Sequence, residues 1–338
     1  MKRSSFILNA AAAAILVSCS KTNVSPVQPA SNAFAQTNGS STANMNARIT
    51  GATVLGAPVA EAKIYKLLPG YDSSDDFEAS GVYYLNGYFY IACDNMYKIA
   101  KIKSTLPINS SNNSLLSTGA PGSGQSNYEG ITYDSQNTPN FFVVEESVSQ
   151  GNGVYQPRIR EYDASMNYQS EMWADYTFNS TNSNKAFEGI AWVYRGGEDY
   201  ILGLVEGTGV IPVLHKTSSQ WEKVAEITLP SSVTFTDYSD ICVYGNMVAI
   251  TSQEDSQLWI GTLSSTSWAI TGGTAYEFPK GSSAGVVGAG SDVLYGNIEG
   301  VSFISSTQIV VVSDKAKSSQ PSYQSYKDQS VHIFNLPQ

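Results

Sequence analysis

One short pattern recurs five times along the 338-residue chain. It consists of one residue that is usually apolar or aromatic, then Ser or Glu, then Gly or Asp, and then a run of mostly apolar and aromatic residues. The copies are "ASGVYY" from residue 79, "YEGITY" from 128, "FEGIAW" from 187, "YSDICV" from 238 and "IEGVSF" from 298. A spacing of about 50 to 60 residues is typical of a fold that repeats one supersecondary unit.

Each copy is followed by segments with the composition of further β-strands. Asn86-Gly87 supplies a two-residue turn that favours positive φ, and Gly245-Asn246 has the same place in the fourth copy. The third-strand candidates are "YKIAKI", "RIREYD", "VIPVLHK", "QLWIGTL" and "SVHIFNL", and the fourth-strand candidates are "NSLLST", "EMWADYTF", "WEKVAEITL" and "TAYEF". The pattern therefore predicts a four-stranded antiparallel sheet in each repeat.

Such a recurring sheet is the blade of a β-propeller, in which radial repetition protects the sheet edges. We therefore predict an all-β, five-bladed β-propeller. The last repeat ends after its third strand, so we expect "EAKIYKLL", residues 61–68, to close the ring as the outer strand of the fifth blade. A six-bladed ring with one degenerate blade hidden in the long gaps is the alternative.

The second position of the motif carries an oxygen-bearing side chain in every repeat. In a propeller the innermost strand lies along the central channel, and its first residues lie at the mouth. We therefore expect these five side chains to converge on the axis. They are Ser80, Glu129, Glu188, Ser239 and Glu299. The glycine after each glutamate fits a place where backbones approach closely.

Three carboxylates on one narrow axis repel each other. At an effective dielectric constant near 20, two like charges about 4 Å apart cost roughly 4 kcal/mol. Such a site must protonate its acids, bind them to backbone N–H groups or hold a cation. Carboxylate and hydroxyl oxygens suit Ca²⁺ better than Zn²⁺. Two hypotheses remain: an axial calcium site, or glutamates that cap the backbone of neighbouring blades without a metal.

A second set of acids is predicted on the same mouth, because a hairpin of this length returns to the level where it began. The set consists of Asp94, Glu145, Glu146, Glu206, Glu254 and Asp314. Each of these could equally be a solvated loop acid. Tyrosines near the rim, such as Tyr128 and Tyr238, either stack on a sugar or peptide or pack between blades.

The N-terminus has the features of an export signal. A basic start, an apolar run from Phe6 to Val17 and "LVSC" ending at Cys19 resemble a bacterial lipoprotein signal, in which the cysteine carries lipid. We therefore predict a signal peptide over 1–18, a Ser-, Thr- and Asn-rich lipid-anchored disordered tether over 19–57 and the propeller over 58–338. Ser20 after the cysteine implies the outer membrane by this resemblance, and the side of that membrane stays open.

Charge and cysteine content narrow the partners. Removal of Lys2 and Arg3 with the signal would change the formal net charge from −10 to −12, which argues against nucleic acid as a partner. The expected membrane contact is through the lipid anchor. Besides the predicted lipid-bearing Cys19, the remaining cysteines are Cys93 and Cys242, and we expect both to be buried free thiols.

The motifs also resemble known propeller families. "NKAFEGIAW", "YEGITYD" followed by "FFVVEES", and "NIEGVSFISSTQIVVVSD" resemble the family labelled esterase-like activity of phytase, and "FEASGVYYLNGYFYIACD" is similar to the SdiA-regulated propellers. The Ser-Glu-Glu-Ser-Glu order is similar to that of the calcium-activated nucleotidases (apyrases), five-bladed propellers with an axial calcium. That resemblance implies the five motif side chains as calcium ligands.

Two functions follow as hypotheses. One is a metal-dependent hydrolase of esters or phosphoesters, in which the ion activates water or polarises the substrate. The other is a non-catalytic receptor or scaffold that binds a small molecule, a glycan or an envelope protein. The two histidines, His215 and His332, lie in third strands away from the axis, so a histidine base or a histidine-rich metal site is not expected. No catalytic residue is assigned.

Overall fold

The computed structural model describes residues 51–179 and 185–337. These residues form five sheets around one channel, and the protein is a five-bladed β-propeller. The inner strands of successive sheets contact each other in sequence order, and the inner strand of the last sheet contacts that of the first. The prediction of five blades is confirmed, and the described ranges contain no sheet for a sixth.

The strands of each blade follow one another from the channel outward. The chain enters through β1 (Thr53–Val54), β2 (Ala60–Lys63) and helix α1 (Ile64–Leu67). Blade 1 consists of β3 (Ala79–Leu85), β4 (Tyr88–Cys93), β5 (Lys98–Lys103) and β6 (Ser114–Ser117). Blade 2 consists of β7 (Tyr128–Tyr133), β8 (Phe141–Gly151), β9 (Val154–Tyr162) and β10 (Tyr168–Trp173), with β11 (Phe178–Asn179) also pairing with β9.

The remaining blades have the same order. Blade 3 consists of β12 (Phe187–Arg195), β13 (Glu198–Val205), β14 (Ile211–Lys216) and β15 (Trp221–Ile227). Blade 4 consists of β16 (Asp240–Tyr244), β17 (Met247–Ser252), β18 (Gln257–Leu263) and β19 (Ile270–Glu277). Blade 5 consists of β20 (Ile298–Ser305), β21 (Gln308–Ser313) and β22 (Ser330–Asn335), with a 3₁₀ helix at Ser322–Tyr326. Every predicted third and fourth strand overlaps a strand of the structure.

The ring closes through the start of the domain, as predicted. β2 pairs antiparallel with β22, with Glu61 opposite His332, and so becomes the outer strand of blade 5. The second half of the predicted closing strand is instead helix α1. Ile64, Leu67 and Leu68 are buried, and their spacing places them on one face of a helical turn rather than on one face of a strand.

The predicted tether also needs a correction at its end. Thr53–Val54 lies inside the predicted range 19–57, yet it forms β1 and pairs parallel with β19 of blade 4. Leu55 explains this position, because its side chain is buried beside Phe278 and its N–H donates to the carbonyl of Glu277 at 2.9 Å. The rest of the predicted tether and the predicted signal peptide lie outside the described residues.

The hydrophobic core is divided into five clusters, one between each pair of neighbouring blades. Strand β4 shows how one blade serves two clusters. Phe89, Ile91 and Cys93 pack toward blade 5, whereas Tyr90 and Ala92 pack toward blade 2. Successive side chains of a strand point to opposite faces, so a blade buried on both faces needs an unbroken apolar run.

A turn and two cysteines also have the structure that the sequence indicated, and two tyrosines follow one of the two alternatives. Asn86 and Gly87 have φ of 51° and 82°, as the predicted turn requires. Cys93 and Cys242 are buried free thiols, as expected. Tyr128 and Tyr238 are buried, which favours packing between blades over ligand stacking. Within the described ranges, no helix is long and apolar enough to cross a membrane.

Candidate functional site at the acidic end of the channel

The three glutamates of the repeated motif meet at one end of the channel. Glu129, Glu188 and Glu299 line a single cavity of about 470 Å³. We refer to this space as the acidic cavity. Its full lining is Glu78, Asp94, Glu129, Glu188, Glu206, Gln253, Glu299, Asp314, Lys315, Ala316, Lys317 and Ser318. Three inner strands from three different blades therefore contribute carboxylates to one space, as the repeat predicted.

A register shift lies at the motif position in blades 1, 2, 3 and 5. In blade 3, Phe187 pairs with Val205 and Gly189 pairs with Leu204, which leaves Glu188 as an extra residue. Ser80 and Glu299 are the extra residues at the same register shift in blades 1 and 5. A bulge re-aims a side chain that would otherwise alternate across the strand. This irregularity accompanies the exposure of Glu188 and Glu299 to the cavity.

The glycine after the motif residue forms part of a belt of close backbone contacts. A Cβ added to Gly130 would lie 2.5 Å from the Ile190 amide nitrogen, and one added to Gly300 would lie 2.9 Å from the Gly81 carbonyl carbon. A Cβ on Gly189 would likewise lie 2.7 Å from the Ile241 amide nitrogen. Glycine is needed where one inner strand lies against the next, as the sequence predicted.

Blade 4 departs from this pattern at the glycine position of the motif. Asp240 stands where the other blades have glycine, and its carboxylate is completely buried. It accepts hydrogen bonds from the backbone N–H groups of Ile241 and Val301, each at 2.8 Å. Burial raises the pKa of Asp240 well above its usual value, although these N–H groups oppose the rise. Asp240 thus links blade 4 to blade 5 with a side chain.

The two motif serines are near the axis but do not line the cavity. Ser80 is buried, and its hydroxyl donates to the Glu78 carbonyl oxygen at 3.4 Å. Ser239 is also buried, and its hydroxyl oxygen has no hydrogen-bond partner among the described residues. A hydroxyl that is buried without a partner costs free energy unless a ligand or water satisfies it.

Three members of the predicted second acidic set line the acidic cavity. Asp94 follows β4, Glu206 follows β13 and Asp314 follows β21, so each stands at the first position after a second strand. One carboxylate oxygen of each of these residues is buried without a hydrogen-bond partner in the described part of the chain. The hairpin length thus brings these acids back to the level of the motif glutamates.

The other three members of that set have different surroundings. The Glu146 carboxylate accepts a hydrogen bond from the Ala186 N–H at 3.1 Å, which connects blade 2 to the start of blade 3. Glu254 lines a neighbouring depression together with Gln253 and Lys317. Neither residue is part of the cavity lining, although the Glu146 charge contributes to the raised pKa of Glu129 and Glu188.

Glu145 is the member whose predicted position needs correction. Its side chain is 3% exposed and forms ion pairs with Arg158 and with the completely buried Arg160. Successive residues of a strand point to opposite faces, so Glu145 and Glu146 cannot both face the mouth. Arg158 and Arg160 alternate along β9, and their pairing with an acid on β8 was the signal available in the sequence.

Burial and mutual repulsion control the charge of the acidic cavity. Burial is the main cause that raises the pKa of Glu129, Glu188 and Glu299 well above the usual glutamate value, and neighbouring carboxylates add to it. The same causes raise the pKa of Asp94 to about 8, where a hydrogen bond with Glu78 contributes. The cavity therefore cannot carry its full negative charge near neutral pH without a compensating cation.

The pKa values of two neighbouring acids are raised less far. Burial raises the pKa of Asp314 to about 7, against an opposing backbone hydrogen bond from Lys315. Burial also raises the pKa of Glu146 to about 7, and the charge of Glu206 adds to this effect. Both acids are thus partly protonated near neutral pH.

One wall of the acidic cavity carries positive charge, which the sequence reading did not anticipate. Lys315, Ala316, Lys317 and Ser318 follow Asp314 and line this wall. Lys315 pairs with Asp76 at 2.7 Å, and the charge of Lys317 opposes the raised pKa of Glu299. Gln253 also contributes, because its amide donates to the Glu299 carboxylate at 2.5 Å. The cavity thus combines acids with groups that can bind an anion.

The side chains are not arranged as a finished metal centre. Among residues 51–179 and 185–337, no three His, Cys, Asp or Glu side chains are grouped so that they could hold one ion as they lie. The donor chemistry nevertheless fits a hard cation, since the cavity offers carboxylate oxygens, three of them buried and unpartnered. Water or small side-chain movements would have to complete the coordination.

Comparisons with known proteins give only distant likenesses. The chain matches no protein-family model and no curated protein. The PQQ-bound aldose sugar dehydrogenase from Streptomyces coelicolor is similar over 83% of this chain and 99% of that chain, with 11% identity and a TM-score of 0.38. Glutaminyl cyclase from Myxococcus xanthus is similar over 83% of this chain and 97% of that chain, with 8% identity and a TM-score of 0.44.

A third solved structure, a GH43 β-1,3-galactosidase, is similar over 81% of this chain and 60% of that chain, with 13% identity and a TM-score of 0.43. Likenesses at this level carry no information about activity. The resemblance to the phytase-labelled, SdiA-regulated and nucleotidase propellers therefore stays a prediction from the motifs.

Proposed function

We propose that the acidic cavity binds Ca²⁺ and that the loaded cavity is a ligand-binding mouth. The observation that carries this proposal is the meeting of Glu129, Glu188 and Glu299, from three blades, with Asp94 and Asp314 in one space. One buried oxygen on each of Asp94 and Asp314 has no hydrogen-bond partner among the described residues, which supports the proposal because a buried polar atom needs a partner.

Calcium suits this cavity better than the other common ions. Ca²⁺ accepts six to eight oxygen ligands in a flexible geometry and takes water among them, whereas Mg²⁺ demands a near-ideal octahedron. The acids face one another across a space of about 470 Å³, which leaves room for water between ion and protein. Zn²⁺ prefers nitrogen and sulfur ligands, and none of the described residues that line this cavity is His or Cys.

The bound ion would also change what the mouth can recognise. A cation offsets the carboxylates, and Lys315 and Lys317 then supply positive charge beside it. Such a surface attracts an oxygen-rich or anionic ligand, which the acidic cavity would repel without the ion. A receptor that presents this mouth to a small molecule or an envelope partner is the function that we favour.

Hydrolysis of an ester or phosphoester is the second candidate. The two lysines favour it, because an ion and neighbouring ammonium groups could hold the phosphoryl oxygens of a substrate. A screen of p-nitrophenyl esters and p-nitrophenyl phosphate with added Ca²⁺ separates the candidates. Turnover that disappears in Glu188→Gln supports the enzyme, and no turnover by calcium-loaded protein supports the receptor.

We further propose that the protein is anchored in the cell envelope, with lipid on Cys19 and an outer-membrane location. The motif "LVSC" supports this, and Cys19 lies outside the described residues. Labelling of cells with a radioactive or clickable palmitate should mark the wild-type chain and leave Cys19→Ala unlabelled. An unlabelled wild-type chain would remove the anchor from the proposal.

Calcium binding is tested by titration and by thermal unfolding. Wild-type protein freed of metal should bind Ca²⁺ saturably, with an increase in Tm that EDTA reverses. Glu188→Gln should weaken binding at least about tenfold, because one charged ligand is lost. Glu222→Gln, on the exposed face of β15, is the matched control and should bind like wild type. Neither heat of binding nor a change in Tm for the wild type would refute the proposal.

A further inference from the structure

The opposite end of the channel has a second cavity with a different chemistry. It encloses about 460 Å³ and is lined by Tyr83, Thr132, Ser135, Gln136, Trp192, Val193, Tyr194, Val243, Tyr244 and Gly245. We refer to this space as the aromatic pocket. Its walls come from the later residues of inner strands β3, β7, β12 and β16, whereas the acidic cavity lies where the inner strands begin. In β12, Glu188 and Tyr194 are separated by about 20 Å of extended strand.

None of the described residues that line the aromatic pocket carries a charged side chain. The charged residues next to this lining already have partners. Asp134, which adjoins Ser135, accepts hydrogen bonds from backbone N–H groups of its own loop. Arg195 donates to the carbonyl oxygens of Ser264 and Ser267 at 2.6 and 3.0 Å. Asp199 accepts a hydrogen bond from the Trp192 ring at 3.1 Å. A pocket without fixed charge offers an ionic ligand no compensation for lost hydration, so it favours a neutral ligand.

Aromatic rings form an open platform in this pocket. The rings of Trp192 and Tyr194 lie 6.1 Å apart between centroids, with only 16° between their planes. Tyr194 is 40% exposed and Tyr244 is 49% exposed, which is high for large side chains of this protein. Both rings thus remain accessible, whereas Tyr128 and Tyr238 near the acidic end are buried.

The platform is held in position before any ligand binds. The Trp192 ring is fixed by Asp199, which also accepts a hydrogen bond from the Asn137 amide at 3.1 Å. The Trp192 backbone N–H donates to the Thr132 hydroxyl oxygen at 2.9 Å, which joins blade 3 to blade 2. Such preorganisation lowers the entropic cost of binding.

We propose that the aromatic pocket binds a neutral carbohydrate. The apolar C–H face of a pyranose ring stacks on an aromatic ring, and its hydroxyl groups need donors and acceptors at the edge of the stack. Exposed Ser135 and Gln136 provide such groups beside the Trp192 and Tyr194 rings. The volume lies within the range of small-ligand sites. This site is independent of the cation proposed for the other end.

The experiment follows tryptophan fluorescence during titration of the full chain with maltohexaose, cellohexaose and xylohexaose. At least one of these should cause a saturable change, since Trp192 lies in the site. Tyr194→Ala should weaken binding by about tenfold or more, because it removes an aromatic anchor. Tyr244→Ala should also weaken it. Tyr326→Ala, which removes an exposed ring outside this pocket, should bind like wild type.

Two comparators test the stated chemistry. A charged oligogalacturonate should bind more weakly than the neutral sugars, and tighter binding of this acid would overturn the preference for a neutral ligand. A neutral polyol without a pyranose ring, such as sorbitol, should not displace the bound oligosaccharide at equal concentration. Unchanged melting temperatures of Tyr194→Ala and Tyr244→Ala would exclude unfolding as the cause of lost binding. Absence of binding by all three neutral sugars, or binding that persists in both variants, would overturn the proposal.

Discussion

The two ends of one channel differ sharply in chemistry although the same inner strands build both. The beginnings of the inner strands and the ends of the second strands supply Glu129, Glu188, Glu299, Asp94 and Asp314 to the acidic cavity. The later residues of the inner strands supply Tyr83, Trp192 and Tyr244 to the aromatic pocket. The first and the last residues of each inner strand lie at opposite mouths of the channel. One repeated scaffold can therefore present charge at one mouth and aromatic surface at the other.

Different contacts join neighbouring blades at the two ends of the channel. The acidic end is kept narrow by backbone contacts at Gly130, Gly189 and Gly300 and by the Asp240 side chain. The aromatic end is joined by hydrogen bonds between backbone and side chain, such as the one that the Tyr84 N–H donates to the Ser302 hydroxyl oxygen at 3.0 Å. Changes in these glycines or in Asp240 should therefore affect the stability of the whole ring, and changes in the exposed rings of the aromatic end should stay local.

The largest effect is expected from the glycine belt. Gly130→Val places a branched side chain against the backbone of Gly189 and Ile190, so we expect a loss of about 3 kcal/mol or more in the free energy of unfolding. Urea unfolding followed by circular dichroism measures it. Gly56→Ala is the control, since an added Cβ there meets nothing within 4 Å. Equal stability of Gly130→Val and wild type would mean that the acidic end is not tightly closed.

The pH dependence of stability should come next and should belong to the acidic end. The folded protein holds the proton of Asp94 up to a pKa of about 8, whereas the ordinary aspartate value is 3.8. In that window the folded state binds more protons than the unfolded state, so stability falls as pH rises from about 4 to 8. Asp314 and Glu146 add to the fall up to about pH 7.

After a discount for solvent screening, the metal-free protein should lose about 1 to 3 kcal/mol between pH 5 and pH 8. Thermal unfolding across this range, with EDTA or with Ca²⁺, makes the measurement. Ca²⁺ should flatten the fall, because a bound cation stabilises the ionised carboxylates. A metal-free protein that becomes more stable toward pH 8 would contradict the account of the acidic cavity.

Asp240 should behave differently from the cavity acids. Asp240→Ala leaves the Val301 N–H without its acceptor in the core, at an expected cost of about 1 to 3 kcal/mol. Because Asp240 does not line the acidic cavity, the variant should keep a calcium-dependent rise in Tm. Glu188→Gln should show the reverse pattern: its free energy of unfolding should change little, and Ca²⁺ should raise its Tm by less than that of wild type. Loss of the calcium response in a folded Asp240→Ala protein would show that the two roles are not separate.

The smallest effects are expected at the aromatic end. Tyr194→Ala and Tyr244→Ala remove exposed rings, so the free energy of unfolding should change by no more than about 0.5 kcal/mol. Their calcium affinity should equal that of wild type, because distant sites contribute independently. Calcium titration of Tyr194→Ala checks this. A clear change in affinity would mean that the two ends communicate through β12.

Most of what the sequence could predict about the fold and the site came from the repeated motif. Five copies of one motif predicted the blades, the closing strand and the convergence of Glu129, Glu188 and Glu299, because regular spacing maps onto a ring. The bulge that leaves Glu188 unpaired could not be foreseen, since it depends on the register of β13 against β12.

The role of Asp240 was missed for another reason. The aligned motif showed an acid in a glycine position, but only the structure shows which backbone groups lie within its reach. The position of Lys315 and Lys317 at the cavity was missed because the alternation of side chains along a strand does not determine the direction of the loop that follows it. The aromatic pocket did have a signal, since Trp192 and Tyr194 lie two residues apart on one face of a predicted inner strand.

The proposed function depends above all on a cation on the channel axis. Crystals of the full chain grown with millimolar CaCl₂, measured at a long X-ray wavelength, would locate the ion by its anomalous signal. We expect a peak in the acidic cavity, coordinated by oxygen atoms of the residues around Glu129, Glu188 and Glu299. An ordered cavity with no peak, or a peak only at other places on the protein, would contradict it.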